Sequence, residues 1–351
     1  MVLGEMAEGQ YEQVTHFYDD ETGLKAIVAI HDTTLGPSLG GTRLRPYDTE
    51  EEARRDVLRL SKGMTYKAAA ADLDLGGGKA VIVADPEEKD EALMSAYGRM
   101  VDRLDGHYIT SVDMNTGVAD MDIVAEETDH VVGVSNGLGD PSPVTSWGVF
   151  SGLRACVEAT YGNDDLSDRT VVVQGVGKVG TGLAEHLVEA GATVKVSDVN
   201  DAAVEELVDD IGAEAVAPDD VYSEPCDVFA PCAIGGVVND ETIPQLECDI
   251  VAGGANNILE NRHHAVDLRE EDILYAPDYV INAGGLITVA KEYAGESKDT
   301  AFEEAEQIGD RLLEMIELAD DRDATVLDAA DEYAERRIAS RGDVEVTAAD
   351  D

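Results

Sequence analysis

The chain has 351 residues, of which 75 are acidic and 25 basic, and its formal net charge of −50 disfavours a nucleic-acid partner, whose phosphates would be repelled. The length favours two domains over one, and a hydrophobic content of 44% is enough for ordinary globular cores. Because carboxylates are spread along the whole chain, we predict adaptation to very high salt, where electrostatic screening shortens to a few ångströms.

Four cysteines and the start of the chain bear on the compartment. Cys156, Cys226, Cys232 and Cys248 lack the spacing of metal ligands and are expected to be small buried residues in a reducing environment. The first residues show no basic segment followed by an apolar one, and no apolar run approaches about 18 residues. We therefore expect a cytoplasmic protein with no membrane partner and no metal ion.

The first part of the chain predicts strands and helices in alternation. The acidic residues 1–23 predict an opening helix, LKAIVAIH from Leu24 predicts a strand, and TLGPSLGGTRLRPY predicts a loop rich in turn formers. TEEEARRDVLRLSKG, residues 49–63, predicts a helix with a threonine N-cap, early acids, late bases and a final glycine. Further predicted elements are a helix near 89–104, a strand at 107–111, a turn after Asp113 that leads into a helix, and a strand HVVGV from His130.

Two lysines stand out in MTYKAAAADLDLGGGKAVIVA, residues 64–84. The chain has only nine lysines, yet Lys67 is followed by four alanines, and Lys79 comes after three glycines and opens an apolar run. Such positions indicate ammonium groups aimed into a cleft, where loss of water lowers the pKa and makes lysine an acid–base group. The alternative is a pair of strand-end lysines that bind some of the many carboxylates.

The rest of the chain predicts a second unit. GVSNGLGDPSPVTS, residues 133–146, has no apolar period and predicts an interdomain linker, followed by a helix at 147–161. TVVVQ, TVKVSD, CDVFAP, CDIVAGG and YVINAGG predict strands that alternate with helical segments, a pattern typical of a parallel sheet covered by helices. Residues 300–340 predict two acidic helices.

A glycine pattern of the type GxGxxG lies between a predicted strand and a predicted helix. Gly175 permits a tight turn, Gly177 lets a pyrophosphate approach the backbone, and Gly180 allows close helix–strand packing, while the helix N-terminus receives the phosphate charge. Asp198 ends the next strand, where a carboxylate binds the ribose hydroxyls and repels a 2′-phosphate, so NAD is favoured over NADP. The predicted cofactor-binding residues here are Gly175, Val176, Gly177, Val179, Gly180 and Asp198. The alternative is a glycine-rich turn that binds no ligand.

The first domain must supply the chemistry, because a dinucleotide only accepts hydride. One lysine that holds a carboxylate, a second that activates water and an aspartate that shuttles protons would together suit oxidation of an amino acid. Lys67, Lys79 and Asp113 are predicted at strand ends or adjoining loops, where α/β folds place their sites. For Asp113 the alternative is an aspartate that initiates a turn.

Seven blocks of the chain carry a recognisable pattern: LKAIVAIHDTTLGPSLGGTR, MTYKAAAADLDLGGGKAVI, PSPVTSWGV, VQGVGKVG, APCAIGGVVND, GGANN and YAPDYVINAGGLITVA. They cover nearly the whole chain and resemble the Glu/Leu/Phe/Val amino-acid dehydrogenase family, most closely its leucine dehydrogenase branch. The resemblance implies reversible NAD(P)-dependent oxidative deamination of an L-amino acid to its 2-oxo acid and ammonium.

The resemblance also implies roles for particular residues. Lys67 would bind the substrate α-carboxylate, Lys79 would activate the water that attacks the iminium carbon, and Asp113 would exchange protons with the substrate amino group. Gly41 would place backbone near the substrate carboxylate. Further positions implied at the substrate or the nicotinamide are Met64, Thr145, Asn257 and Asn282. For the two asparagines the alternative is ordinary hydrogen bonding in loops or at strand ends.

Substrate choice depends on the side-chain pocket. Glutamate enzymes of the family have a lysine for the γ-carboxylate where this chain has Leu39, and an apolar residue cannot offset burial of a second carboxylate. The pocket positions of the leucine branch correspond to Leu39, Ser111, Leu286 and Val289, which predicts leucine, valine or isoleucine as the substrate. Alternatives are phenylalanine dehydrogenase, a non-catalytic NAD-binding regulator, and glutamate dehydrogenase, since SVDMNTG around Asp113 is closer to the DVNT of glutamate enzymes than to AEDVGT.

The expected architecture is two α/β domains that flank a cleft. Residues 1–135 would bind substrate, carry the catalytic groups and mediate homo-oligomerisation, and residues 145–298 would form a Rossmann-type NAD-binding domain. Residues 299–351 are expected to form helices that pack back on the first domain. Closure of the cleft would bring the nicotinamide C4 to the substrate α-carbon and exclude water.

Overall fold

A computed structural model describes residues 2–348, with side chains described up to residue 341. The chain divides into two compact units. Of the described residues, the first unit contains those up to Gly139, Val289–Ser297 and those from Ala334 onward, and the second contains Asp140–Thr288 and Lys298–Tyr333. None of the helices within residues 2–348 combines the length and the apolar character that a bilayer-crossing helix needs.

The first unit is built on a mixed five-stranded sheet. Its elements in chain order are α1 (Val2–Gly9), β1 (Gln13–Tyr18), β2 (Lys25–Asp32), β3 (Ser38–Arg45), α2 (Glu50–Ala70), β4 (Gly76–Val83), a 3₁₀ turn (Pro86–Glu88), α3 (Glu91–Asp102), β5 (Tyr108–Val112) and α4 (Val118–Ala125). The strand order is β1-β2-β4-β3-β5. β3 is parallel to β4 and β5, and β2 is antiparallel to β1 and β4.

Alternation along β2 and β4 buries both faces of this sheet. One face packs against α2, where Val57 and Leu58 join Ile27 and Val81 in a cluster. The other face forms a larger core in which Val28, Ile30, Ala80 and Ile82 meet side chains of α3. A strand that is buried on both faces has a continuous apolar sequence, which is why LKAIVAIH and AVIV were recognised as strands.

Two strands of this sheet contradict the sequence prediction. Residues of β1 were assigned to the opening helix, which ends at Gly9, and β3 was assigned to a turn-rich loop. The glycines of β3 serve close strand packing rather than a turn, because a Cβ at Gly40 would lie 1.8 Å from the carbonyl oxygen of Gly78. The predicted strand HVVGV is also wrong, since it contributes only an isolated bridge between Thr110 and Val131.

α2 begins as predicted but runs further. The backbone N–H of Glu52 donates to Thr49 Oγ1 at 3.1 Å, which confirms the N-cap. The helix continues through the exposed Gly63 to Ala70. Lys67 therefore lies in the last turn of a helix and not at a strand end, and β4 begins at Gly76, so Lys79 is inside the strand rather than at its start.

The second unit contains the parallel sheet that the sequence predicts. The remaining elements in chain order are α5 (Ser142–Tyr161), β6 (Thr170–Gln174), α6 (Lys178–Glu189), β7 (Thr193–Ser197), α7 (Asp201–Ile211), β8 (Glu214–Ala215), β9 (Val228–Pro231), a 3₁₀ turn (Ile243–Gln245), β10 (Ile250–Val251), α8 (His264–Glu270), β11 (Leu274–Tyr275), α9 (Asp278–Ile281), α10 (Gly284–Tyr293), α11 (Lys298–Glu306), α12 (Ile308–Arg322) and α13 (Val326–Ala348), of which α10 and α13 end in the first unit. All strand pairs are parallel, in the order β11-β10-β9-β6-β7-β8. The α/β fold class with a Rossmann-type sheet is confirmed.

The end of the chain differs from the prediction in two ways. YVINAGG is helical, in α9 and the start of α10, because its small residues let helices approach: a Cβ at Gly284 would lie 2.5 Å from the Val144 carbonyl oxygen. Residues 299–333, expected on the first domain, belong to the second unit, where Ser151 Oγ donates to the Glu306 carbonyl at 2.6 Å.

The last helix, α13, belongs to the first unit from Ala334 onward. Arg337 fastens it there: Nη1 donates to the Leu73 carbonyl at 2.7 Å, and Nε lies 3.1 Å from Asp72 Oδ1. Residues Val289–Ser297, which were assigned to the NAD-binding domain, also belong to the first unit. The prediction that residues 299–351 pack on the first domain stays a prediction, and of the described residues among them those from Ala334 onward are grouped with the first unit.

Candidate active site

Three predicted site residues lie in one row across the first sheet. The register of β3 pairs Gly41 with Ser111 on β5, and the same strand's pairing with β4 places Gly41 beside Lys79. Residues in register on neighbouring strands project to the same face. Because a Cβ at Gly77, two residues before Lys79, would meet the Thr65 backbone of α2 at 2.2 Å, this row faces α2.

Lys79 and Asp113 form a buried ion pair at this row. Lys79 Nζ lies 3.2 Å from Asp113 Oδ2, and the lysine side chain is 9% exposed. Burial lowers the pKa of Lys79, although the charge of Asp113 opposes the change. Burial alone would raise the pKa of Asp113, but the charges of Lys79 and Arg43 and their hydrogen bonds outweigh it and hold that pKa below its usual value. The pair is thus a carboxylate beside an amine that releases its proton readily.

Arg43 is a functional candidate that the sequence interpretation missed. Its Nε donates to the same Asp113 Oδ2 at 3.1 Å, and its Nη1 donates to Asp56 Oδ2 at 3.1 Å. The signal was present, since Arg43 lies two residues after Gly41 and such residues of a strand share a face. It could not be used while the segment was taken for a loop.

Gly41 is a position where only glycine fits. A Cβ there would lie 2.3 Å from the carbonyl oxygen of Val112 and 2.8 Å from the Cβ of Asp113. The missing side chain lets the turn after β5 close over β3 and brings the Asp113 carboxylate to Lys79. The predicted role of Gly41 near the substrate carboxylate stays a prediction.

The other predicted substrate residues of this unit surround the row. Met64 and Lys67 are half-buried on α2, three residues apart and therefore on one face of the helix. Leu39 is 2% exposed and pairs with Gly77 of β4, on the same face as Gly41. Ser111 is also buried, so the row is bordered by apolar and small side chains.

The turn after Asp113 explains the SVDMNTG sequence. Asn115 Nδ2 donates to the Leu44 carbonyl at 2.9 Å, and Thr116 Oγ1 donates to the Thr42 carbonyl at 2.8 Å. The same hydroxyl accepts a bond from the Asp113 backbone N–H at 2.9 Å. Both side chains therefore attach the turn to β3.

The glycine-rich turn of the second unit has the geometry of a dinucleotide site. Gly175, directly after β6, has a φ of +101°, and a Cβ at Gly180 would lie 1.9 Å from the Gly175 carbonyl oxygen. Gly177 is the exposed N-cap of α6, and a Cβ there would meet nothing within 4 Å. An open helix N-terminus behind a tight glycine turn fits a bound pyrophosphate. Val176 and Val179 lie within this turn and the first turn of α6.

Asp198 lies at the carboxyl end of β7 beside that turn. Its Oδ2 accepts the Val176 N–H at 2.8 Å, and its Oδ1 accepts the Asn200 N–H at 2.9 Å. Each oxygen keeps acceptor capacity for a ribose hydroxyl.

Two exposed apolar residues that the sequence interpretation missed, Val199 at 91% and Ile234 at 71%, follow β7 and β9 at the same edge. Ligands of parallel α/β sheets bind at this edge, so both are candidates to contact the cofactor.

Thr145 lies beside Gly284, two residues after Asn282, since a Cβ at Gly284 would be 2.6 Å from Thr145 Cα. Asn282 is 4% exposed, and its Nδ2 donates to Asn256 Oδ1 at 2.9 Å and to the Ala255 carbonyl at 3.2 Å. This amide thus holds the loop after β10, the ordinary bonding that was left open as an alternative.

The remaining predicted positions are on that loop and on α10. Asn257 is exposed with a φ of +53°, and its N–H donates to Asp278 Oδ2. Leu286 is buried and Val289 half-buried, three residues apart on one face of α10. The structure assigns Leu286 to the second unit and Val289 to the first.

Among the residues whose side chains the structure describes, one group could hold a metal ion: Asp240, His263, His264 and Asp267. The tautomer of His264 argues against it. Its Nδ1 accepts the Asn261 N–H at 3.1 Å, so the proton is on Nε2, which lies 3.2 Å from Asp240 Oδ1 and donates to it. His264 therefore orients a carboxylate and offers no lone pair to a cation.

These features define a class: an α/β oxidoreductase with a dinucleotide site on one unit and a buried lysine–aspartate pair on the other. Two family models match the chain, "Glu/Leu/Phe/Val dehydrogenase, dimerisation domain" over residues 10–130 and "Glutamate/Leucine/Phenylalanine/Valine dehydrogenase" over residues 195–347. The chain belongs to the Glu/Leu/Phe/Val dehydrogenase family. It is an NAD-dependent amino-acid dehydrogenase.

Individual relatives agree in coverage but differ in their substrates. Leucine dehydrogenase of Geobacillus stearothermophilus is 50% identical over 332 residues, 93% of this chain and 90% of that protein. L-tryptophan dehydrogenase of Nostoc punctiforme is 49% identical over 329 residues, 93% of each. A crystal structure of L-tryptophan dehydrogenase from Nostoc punctiforme has a TM-score of 0.90 at 45% identity and covers 97% of this chain and 100% of that chain.

Proposed function

We propose that the chain catalyses the reversible NAD-dependent oxidative deamination of a branched aliphatic L-amino acid, namely leucine, valine or isoleucine. The observation that carries this proposal is the buried Lys79–Asp113 pair, 3.2 Å apart, in a row with Gly41. The apolar Leu39 on the same face of β3 decides the substrate class. The products are the 2-oxo acid, ammonium and NADH.

In the proposed mechanism Lys67 binds the substrate α-carboxylate by charge. Gly175, Gly177 and Asp198 would hold NAD, which would supply the hydride acceptor. Lys79 in its neutral form takes the proton of the water that attacks the substrate iminium carbon, and Asp113 exchanges a proton with the departing amino group. The lowered pKa of Lys79 supports the first role, and the depressed pKa of Asp113 keeps the carboxylate available for the second.

Overall identity does not select the substrate, since the leucine and tryptophan enzymes are 50% and 49% identical to the chain. The side chains around the substrate must therefore select it. Leu39 is 2% exposed and offers no charge to a substrate carboxylate. The glutamate-like residues after Asp113 already hold β3 carbonyls, so they do not argue for glutamate. An aromatic amino acid is the second candidate, because the tryptophan enzyme is so similar.

The test measures NADH formation in multimolar KCl with leucine, valine, phenylalanine, tryptophan and glutamate in parallel, in the wild type and two variants. We expect the wild type to prefer the branched substrates. Leu39→Lys is expected to lower kcat/KM for leucine at least about tenfold and raise relative use of glutamate, whereas Leu39→Met retains the preference. A wild type that prefers glutamate would overturn the pocket argument, and one that prefers tryptophan would favour the second candidate.

The coenzyme preference provides a separate prediction. Asp198→Asn removes the charge but keeps an acceptor for one backbone N–H, and we expect the KM for NAD to rise about 10-fold or more as charged hydrogen bonds to ribose are lost. Use of NADP should increase relative to NAD because the repulsion of a 2′-phosphate disappears. Steady-state kinetics with both coenzymes measure this, and Asp201→Asn at the start of α7 is the control. An unchanged NAD/NADP ratio would contradict the assignment.

Three further properties belong to the proposal. Adaptation to high salt is supported by the net charge of −50. Assembly as a homo-oligomer is supported by the model over residues 10–130, whose description names a dimerisation domain. A cytoplasmic location is supported by the four cysteines, all of which are free thiols.

A further inference from the structure

Asp113 is held by two cations, and only one of them can lose its charge. Lys79 Nζ and Arg43 Nε lie 3.2 Å and 3.1 Å from the same oxygen, Asp113 Oδ2. Lysine is an acid–base group when buried, whereas the arginine guanidinium stays protonated in proteins. The two contacts therefore differ in kind although their lengths are alike.

This difference matters at the step in which Lys79 is neutral. The Asp113 carboxylate then has lost one of its two positive neighbours, in a place where its side chain is only 24% exposed. A carboxylate without a compensating charge in such surroundings draws a proton back from a nearby donor. A permanent cation at the same oxygen prevents this return.

We propose that Arg43 is a positioning residue that keeps Asp113 ionised and oriented while Lys79 exchanges its proton. The proposal rests on the proposed function, in which Lys79 and Asp113 carry the proton transfers. Arg43 acts through Asp113 and is not itself a proton donor or acceptor in the reaction.

The Arg43 guanidinium is held in place by a second carboxylate, that of Asp56. Asp56 on α2 accepts from Arg43 Nη1, and the same Asp56 oxygen accepts from the Tyr47 hydroxyl at 2.9 Å, while Arg59 binds the other oxygen at 3.0 Å. Arg43 thus bridges two carboxylates, on the turn after β5 and on α2. The charged and titratable groups that face this network are Lys79, Asp113, Asp56, Tyr47, Arg59 and Arg45.

A purely structural ion pair would affect stability alone, so the sign of a pH shift separates the two roles. Removing the positive charge of Arg43 makes protonation of both neighbours easier, which raises the pKa of Lys79 and of Asp113. Less neutral Lys79 is then present at a given pH. The acid limb of the kcat/KM profile should therefore move to higher pH.

The experiment compares pH profiles of the wild type, Arg43→Gln, Arg43→Lys and Arg54→Gln at one KCl concentration. Arg54 is a matched control, 14% exposed and bound to Glu5 Oε2 at 2.7 Å, against 16% for Arg43. We expect Arg43→Gln to lower kcat about 10-fold or more and shift the acid limb upward by about one pH unit. Arg43→Lys keeps the positive charge and should therefore show a smaller shift than Arg43→Gln. Arg54→Gln should leave the profile unchanged.

A second readout needs no turnover, so it separates failure of this inference from failure of the proposed function. Acylating reagents attack only neutral amines, and the pH dependence of Lys79 labelling, read by peptide mass spectrometry, follows its protonation directly. We expect the labelling midpoint to move upward in Arg43→Gln and not in Arg54→Gln. Identical midpoints in a folded Arg43→Gln variant would overturn the role of Arg43. A wild type without dehydrogenase activity would overturn the proposed function instead.

Discussion

Lys79→Ala is expected to lower kcat at least about 10²-fold with leucine and NAD, because the group that takes the proton of the attacking water is gone. Binding of NADH should persist, since the glycine turn and Asp198 belong to the other unit. Initial rates together with NADH fluorescence titration measure both quantities in one preparation. The loss of rate would then be assigned to chemistry and not to a missing coenzyme.

The matched control is Lys195→Ala, because Lys195 also forms an ion pair, with Glu224, and its side chain is 18% exposed against 9% for Lys79. It should keep turnover within a few-fold of the wild type. If Lys79→Ala were equally active, the acid–base role of Lys79 would be wrong, and the non-catalytic alternative for this chain would gain support. If both variants lost activity together, the loss would reflect general destabilisation.

The pH dependence of the wild type has a definite sign under the same mechanism. Burial lowers the pKa of Lys79, and the neutral amine is the active form. We therefore expect kcat/KM to rise with pH and to level off above a midpoint that lies below the ordinary lysine value of about 10.4. Asp113 stays ionised over this range, because its pKa is held below its usual value. A rate that falls with rising pH across the midpoint would contradict the assignment.

The geometry of the glycine turn could be predicted from the sequence because its residues are close together in the chain. Gly175, Gly177, Gly180 and Asp198 lie within one strand–turn–helix–strand unit, and Val176 N–H meets Asp198 Oδ2 at 2.8 Å. Spacing along the chain is enough to bring such residues together. The continuous apolar strand β6 and the helix α6 followed from periodicity for the same reason.

The catalytic cluster was only partly predictable because its residues are far apart in the chain. Lys79 and Asp113 were singled out by their sequence context and received their roles from the family resemblance, but the Arg43–Asp113 contact joins positions 70 residues apart and has no signature in spacing. Glycine was the second obstacle. In β3 and β4 glycine permits close approach of the neighbouring backbone, whereas in a sequence glycine usually indicates a turn. The prediction therefore missed β3, and with it the candidate residue Arg43.

Dilution from 3 M to 0.1 M KCl is expected to lower the melting temperature by at least about 10 °C, equivalent to roughly 3–5 kcal/mol of unfolding free energy. Acidic residues exceed basic ones by 75 − 25 = 50, so most carboxylates have no cation to share. Screening shortens from about 10 Å at 0.1 M to about 3 Å at 1 M, which weakens their repulsion in the compact state. Thermal melts across a KCl series measure the effect, with equimolar sucrose as a control that does not screen charge.

One helix allows this explanation to be tested at a single position. Glu314, Glu317, Asp320 and Asp321 are exposed along α12, and like charges three or four residues apart repel. Glu317→Lys converts these contacts into attractions with Glu314 and Asp321, so it should stabilise the protein at 0.1 M KCl by about 0.5–1 kcal/mol and much less at 3 M. Glu317→Gln, which only removes a charge, should give a smaller gain. Equal gains at both salt concentrations would show that the stability gain comes from helix propensity and not from relief of charge repulsion.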